Sequence, residues 1–318
     1  MTQNNAFLLA DIGGTNARFA LWKDGAITQY RSLPVADFPG IAPAIHAYLE
    51  ALPDRPAIRQ ALLAVAGPVV GNRCALTNSP WVVEGALIER DFNIRRVAVY
   101  NDLEAVAWAI SGLGPGDYVA LGGGLAVPRA PQLIIAPGTG LGVAAWLSEG
   151  LALPSEGGHA SFAPENEAED ALLRALRQAH DHVSLERLIS GPGLVEIYRI
   201  LATADGATPA FTTAAEITAA AMAGSCGISV RTLEHFCAVL GSVAGNLALT
   251  FGARGGVYIA GGIAPRMLPF LARSGFRQRF AGKGRLTDWL AHIPTRVIQR
   301  PDVALLGLQA CHQQEYLA

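Results

Sequence analysis

Two stretches of the chain share one plan. Residues 11–20 read DIGGTNARFA and residues 136–145 read APGTGLGVAA. In each, an apolar run enters a turn of glycine and threonine, and a second apolar run leaves it. Each is strand, Gly/Thr turn, strand. No short period repeats along the chain, which argues for two related halves rather than a solenoid. The chain has 318 residues, more than one ordinary core covers, so two domains or one large α/β unit are expected.

The remaining elements fit that plan. Strands are expected at 7–12, 17–23 and 26–33, with turns too short for crossovers, so the first sheet starts antiparallel. A helix fits 40–51, an apolar strand 61–66, a helix 84–91, and a strand 96–100 that stops at Asn101-Asp102 before a helix over 103–110. Ser111 to Gly116, SGLGPG, is the best linker. Beyond it, strands fit 117–121, 132–136, 142–147, 256–260 and 295–299; helices fit 167–179, 193–202, 213–223, 229–251 and 303–315. This is α/β with some antiparallel strands.

Several classes are disfavoured. The formal net charge is −2, which calls for neither nucleic acid nor an anionic membrane. Cys74, Cys226, Cys237 and Cys311 form no CxxC pair, which suits a reduced cytosolic protein and argues against zinc. The N-terminal segment reads as no signal peptide. Two uncharged stretches, 130–148 and 236–253, invite a membrane reading, and the second holds Gly241-x-x-x-Gly245. Prolines and glycines break the first, and Gly, Ser, Asn and Thr interrupt the second, so a buried strand and a buried helix are expected.

The polar residues at strand ends carry the chemistry. Gly13 and Gly14 let backbone approach a ligand, with Thr15 and Asn16 beside them. Asp11 would repel a bare phosphate and suits the Mg²⁺ that accompanies one; the bland alternative is a hairpin whose Asp caps its own turn. Gly138-Thr139-Gly140 is a second phosphate-type turn. Gly140-x-Gly142-x-x-Ala145 imitates a dinucleotide fingerprint, but a strand follows it where that motif needs a helix. Gly261-Gly262 follows a strand and precedes a helix, which suits a nucleoside or simple packing. Asp102 is either a helix N-cap or a general base. Glu156, His159 and Glu186 offer groups that bind hydroxyls, or are ordinary surface and structural residues. His180-Asp181-His182 reads as a loop, and the basic run from Arg273 to Arg285 as a solvated face.

Taken in order, LADIGGTNARFAL, VYNDLEAVA, APGTGLGVA, SEGGHASFAP, ERLISGPGL and GGVYIAGGIAPR resemble the bacterial ATP-dependent glucokinases. That family belongs to the actin/hexokinase superfamily, and the likeness covers almost the whole chain. It implies a two-domain actin/hexokinase-like (ribonuclease H-like) α/β fold with a cleft, residues 1–110 plus 301–318 forming the small domain and 111–300 the large one. By motif it implies Asp11, Gly13, Gly14, Thr15 and Asn16 as the first phosphate site, Gly138, Thr139 and Gly140 as the second, and Gly261 and Gly262 at adenosine. Asn101, Glu156, His159 and Glu186 would bind sugar hydroxyls with Asp102, the catalytic base.

The related ROK kinases and repressors usually carry a CxCGxxGC-type zinc motif. Here ASFAP follows His159, with no cysteine, so the likeness implies a zinc-free glucokinase. It implies ATP with Mg²⁺, glucose as substrate, a homodimer, a cytoplasmic location, and no nucleic-acid or membrane partner. A kinase for another hexose is the nearest alternative and a non-catalytic sugar sensor the more distant one; the first phosphate motif starts at residue 11 and leaves no room ahead of it for a DNA-binding module.

Overall fold

In β1 (Ala6–Ile12), Ala6, Leu8, Ala10 and Ile12 enter one hydrophobic core, while Leu9 is buried too. A strand covered on both faces needs a continuous apolar run rather than an alternating one. The structure, a computed structural model, describes residues 6–54, 56–147 and 150–317. The chain divides into two compact units, Met1–Leu113 with Pro301–Ala318, and Gly114–Arg300.

In the first unit β1 is followed by β2 (Asn16–Lys23), β3 (Ala26–Pro34), α1 (Ile41–Glu50), β4 (Ile58–Val65), a short hairpin of β5 (Arg73–Ala75) and β6 (Val82–Glu84), α2 (Gly85–Phe92), β7 (Arg96–Asn101) and α3 (Asp102–Ala109). The main sheet has the order β3-β2-β1-β4-β7. β1, β2 and β3 are antiparallel neighbours; β4 and β7 continue parallel to β1. Trp81 and Tyr48 are fully buried in the core beneath, and the Trp81 Nε1–H donates to the Phe38 carbonyl at 3.1 Å.

The second unit runs β8 (Tyr118–Gly122), β9 (Gln132–Pro137), β10 (Leu141–Leu147), β11 (Leu151–Ser155), α4 (Glu167–Leu176), α5 (Gly191–Ala204), α6 (Ala214–Met222), α7 (Gly227–Phe251), β12 (Gly256–Ile259), α8 (Leu268–Arg273), α9 (Phe276–Ala281), α10 (Thr287–Ala291) and β13 (Thr295–Ile298). Its sheet has the order β11-β10-β9-β12-β13-β8. α11 (Val303–Leu317) then closes the first unit against α3, where a Cβ on Gly307 would overlap the Ala105 carbonyl.

α7 is the apolar helix that invites a membrane reading. It is the one described helix long and apolar enough to span, and 72% of its most apolar window is buried within the protein. Its Gly241 and Gly245 receive α9, since Cβ atoms there would overlap the carbonyls of Phe276 and Phe280. The small-residue spacing serves close helix packing inside this unit.

Candidate active site

The first glycine turn joins β1 to β2. The hairpin register sets Asp11 opposite Arg18, and the Arg18 Nη1 donates to the Asp11 Oδ2 at 2.7 Å. Burial pushes the Asp11 carboxyl above its ordinary value, and the Arg18 charge and hydrogen bond pull the other way. The Gly13 N–H donates to the Asn16 carbonyl at 3.0 Å, closing the turn, and Thr15 is exposed at its tip. The two glycines differ. A Cβ on Gly14 would come within 2.9 Å of the Asn78 Cβ, so the chain's own packing demands glycine there. A Cβ on Gly13 would meet nothing closer than the Asn16 carbonyl at 3.6 Å, so packing within the chain does not account for that glycine.

The same sheet edge carries a second polar group. Parallel registry aligns Ile12 with Val65 and Val65 with Asn101. Two strand spacings therefore separate the end of β1 from the end of β7, about 10 Å. Asn101 is the N-cap of α3: its Oδ1 accepts from the Leu103 and Glu104 N–H groups, at 3.0 and 3.2 Å. Its Nδ2 donates to the Gly67 carbonyl at 3.1 Å, and an amide nitrogen has a second hydrogen to offer a ligand. Asp102 is thus the first residue of the helix and not its cap, which corrects the N-cap reading: Asn101 already fills that role. The Asp102 Oδ1 accepts from the Leu103 N–H at 2.9 Å, and negative charge is favoured in the first turn of a helix.

The second glycine turn joins β9 to β10. The Gly138 N–H donates to the Gly140 carbonyl at 2.8 Å, and Thr139 is exposed. A Cβ on Gly138 would meet nothing within 4 Å. Glu186, on a 3₁₀ turn over Leu185–Arg187, reaches this hairpin: its Oε2 accepts from the Leu141 N–H at 2.9 Å. Glu186 is therefore no solvated helical residue. Gly261, two residues past the end of β12, has φ +79°, and a Cβ there would press on the Pro137 carbonyl. Backbone geometry and packing explain Gly261; at Gly262 a Cβ would meet nothing within 4 Å. The helix expected directly after Gly262 begins later, as a 3₁₀ turn at Pro265–Met267 leading to α8. Pro265 and Pro269 lack N–H donors and break that segment into short pieces.

Glu156 precedes a 3₁₀ turn over Gly157–His159 and His159 ends it, both exposed, with the His159 Nε2 3.8 Å from the Glu156 Oε2. The His182 Nε2 lies 2.9 Å from the His159 carbonyl. His182 thus fixes the loop, and among the described residues no group of three or more His, Cys, Asp or Glu side chains is placed to hold a metal by itself.

A family model described as Glucokinase matches residues 8–315. The chain belongs to the glucokinase family. It is 42% identical over 316 residues to a glucokinase of Psychromonas ingrahamii, covering 96% of this chain and 97% of that one. It is 44% identical over 306 residues to a glucokinase of Paramagnetospirillum magneticum, covering 95% of each. The crystal structure of a glucokinase from an Antarctic psychrotroph superimposes with a TM-score of 0.84 at 37% identity, covering 97% of this chain and 99% of that one. The fold is the α/β fold of the actin/hexokinase type.

Sequence reasoning missed several contributors. Arg18 stands in the first motif itself, and counting the hairpin register would have paired it with Asp11. Asn78, against Gly14, and Gly191, whose N–H donates to the Gly138 carbonyl, carry no such signal, since long-range approach alone brings them to their partners. The basic run is not simply a solvated face. The Arg279 guanidinium pairs with Glu169, whose side chain is 1% exposed, at 2.6 Å. Lys283 bonds Glu165 and Ser242, and Arg277 donates to the carbonyls of Ala291 and Ile293. These residues hold α9 in place.

Proposed function

We propose that this member of the glucokinase family transfers the γ-phosphoryl group of ATP to the 6-hydroxyl of glucose, giving glucose 6-phosphate and ADP. The observation that carries the reading is the aligned sheet edge of the first unit. It sets Ile12, where the glycine turn begins, two strand spacings or about 10 Å from Asn101, the residue before Asp102. A phosphate end and a base for an attacking hydroxyl need such a separation.

In this reading Asp102 accepts the proton of the sugar hydroxyl as its oxygen attacks phosphorus. A carboxylate suffices, because in a loose transition state little negative charge leaves the nucleophile early. Asn101, Glu156, His159 and Glu186 engage the other hydroxyls. Asp11, Gly13, Gly14, Thr15 and Asn16, with Gly138, Thr139 and Gly140, present N–H and hydroxyl donors to phosphates, and Gly261 and Gly262 offer a flat surface to adenosine. A positioned base contributes roughly 10²–10⁴-fold, and alignment and fixed donors supply the rest.

Asp11 fits a magnesium ion that arrives with the nucleotide. It is one carboxylate with one oxygen engaged by Arg18, too few ligands for a resident ion and enough for one contact, direct or through water. Bound there, Mg²⁺ would neutralise phosphate charge. The two domains are proposed as 1–110 with 301–318 and 111–300. A cytoplasmic homodimer is proposed on the family likeness, and light scattering on the purified protein tests the dimer.

ADP release from Mg-ATP, measured over a panel of hexoses, tests the activity. Turnover confined to glucose is expected. Faster turnover with another hexose would move the substrate assignment, and no turnover by folded, ATP-binding protein would overturn it.

A further inference from the structure

Glu186 does more here than face solvent with a free carboxylate. Its Oε2 accepts the Leu141 N–H at 2.9 Å, across 45 residues of chain. Gly140 makes room for this, since a Cβ there would overlap that oxygen. The backbone behind Glu186 is fixed as well. The Ser190 Oγ donates to the Glu186 carbonyl at 2.8 Å and accepts from the Gly193 N–H at 3.0 Å, with Ser190 2% exposed. The Gly191 N–H then donates to the Gly138 carbonyl at 2.8 Å. The loop is thus fastened to the glycine turn at both ends, from Glu186 to Leu141 and from Gly191 to Gly138.

We infer that Glu186 is a positioning residue for the second glycine turn, so that the carboxylate offered to the sugar also holds the turn offered to the nucleotide. The inference rests on the kinase reading for the roles of the two ligands. A carboxylate has about four lone-pair sites, so the bond to Leu141 leaves capacity for a sugar hydroxyl. A charge-assisted bond from backbone N–H to carboxylate is among the stronger ones and is short enough here to restrain the turn. Preorganised donors bind phosphate better than donors that must first be ordered. Losing the bond therefore weakens nucleotide binding even with no sugar present.

Charge and bracing pull in opposite directions, which makes them separable. Removing a negative charge near a phosphate site tightens nucleotide binding; removing a brace loosens it. Glu186→Ala removes both, whereas Glu186→Gln removes the charge and keeps an oxygen that accepts from Leu141.

The test is calorimetry of Mg-AMPPNP on the full chain without sugar, together with hydrogen exchange at the Leu141 amide. Glu186→Ala is expected to weaken Mg-AMPPNP about tenfold and to speed Leu141 exchange about tenfold, on the scale of one charge-assisted bond. Glu186→Gln is expected to restore both to within about threefold of the parent, while the glucose KM stays raised. Should the alanine variant not fold, Glu186→Asp, one methylene short of the amide, carries the same expectation. An unchanged nucleotide Kd and unchanged Leu141 exchange in Glu186→Ala, with a raised glucose KM, would confine Glu186 to the sugar and overturn the inference. Equal loosening in the alanine and glutamine variants would also overturn it, because the acceptor is retained in one of them. If the parent turns over no hexose yet the alanine variant still loosens the turn, the positioning role stands and the sugar assignment falls. If the parent binds no Mg-AMPPNP without sugar, Leu141 exchange decides alone.

Discussion

The two units carry the same five-strand plan and use it differently. In the first, β3-β2-β1-β4-β7 runs through two antiparallel pairings and two parallel ones; in the second, β11-β10-β9-β12-β13 repeats that pattern, with β8 added at the edge. Each has a glycine turn between its first two strands. In the first unit the acid of the turn is built in: Asp11 belongs to β1 and pairs with Arg18 on β2. In the second, the corresponding strand end is Ala136-Pro137, and the acid comes from Glu186. The last parallel strands diverge too. β7 ends on Asn101 and leads into Asp102, whereas β13 ends in a segment where the Arg300 Nη1 meets the Asp117 Oδ1 at 3.3 Å. A repeated scaffold fixes where ligands approach, and single residues at strand ends decide what each half does.

The strongest way to break this comparison is Asp102→Asn. The Asn101 cap remains, and an asparagine at 102 still accepts from Leu103, so the melting temperature should hold. kcat should fall roughly 10²–10⁴-fold, read from ADP release. A fall under threefold would remove Asp102 as base and leave the first unit without its distinguishing group.

The glycines sharpen the comparison next. Gly14→Ala and Gly261→Ala should each destabilise their unit by about 1–3 kcal/mol in urea unfolding, because one meets Asn78 and the other has φ +79° against Pro137. Gly13→Ala and Gly138→Ala have room and should change stability by less than about 0.5 kcal/mol, yet raise the KM for ATP. Equal stability losses at all four would mean these glycines serve the fold alone.

The second unit has a partly buried ion network in which the buried Glu169 and Ser242 are joined by Arg279 and Lys283 to the more exposed Glu165. Burial pushes the Glu165 carboxyl up, but hydrogen bonds from Lys283 and Ser242 and the charges of Lys283 and Arg279 outweigh it and hold the group below its ordinary value. A lowered folded value contributes stability above the ordinary carboxylate range, and that stability is lost as pH falls through the lowered value. Lys283→Met should cost about 2 kcal/mol at neutral pH and flatten the acid limb of the unfolding curve. An unchanged acid limb would show that the network does not govern acid unfolding.

The smallest effect concerns Arg18. Its charge opposes the burial that raises Asp11, so Arg18→Met should raise the Asp11 carboxyl further. If Asp11 works as the carboxylate, the acidic limb of the pH–rate profile moves to higher pH. A limb that stays in place would separate Asp11 from the rate.

Much of the fold was legible because hydrophobic periodicity and turn chemistry are local. The apolar run of β1, the GG turn and the alternation of strands with helices all follow from neighbours in sequence, and so does the position of Asp102 just past a strand. The β5–β6 hairpin and β11 escaped, being three to five residues long with little apolar signal. The short helices α9 and α10 escaped because the glycines at 275, 282 and 284 interrupt their periodicity.

By itself, then, the sequence determined the two glycine hairpins, the strands that carry them and the polar residues at their ends, since each depends on steric preferences within a few residues. Only the tertiary structure decided that Asn101 rather than Asp102 caps α3, that Gly14 is held by Asn78 while Gly13 stands open, and that Glu186 reaches the turn at Gly140. The cap turns on where β7 ends, at Asn101, whose side chain the Gly67 carbonyl also holds; the other two depend on which distant backbones and side chains approach within hydrogen-bond or van der Waals range, and no local preference encodes that distance.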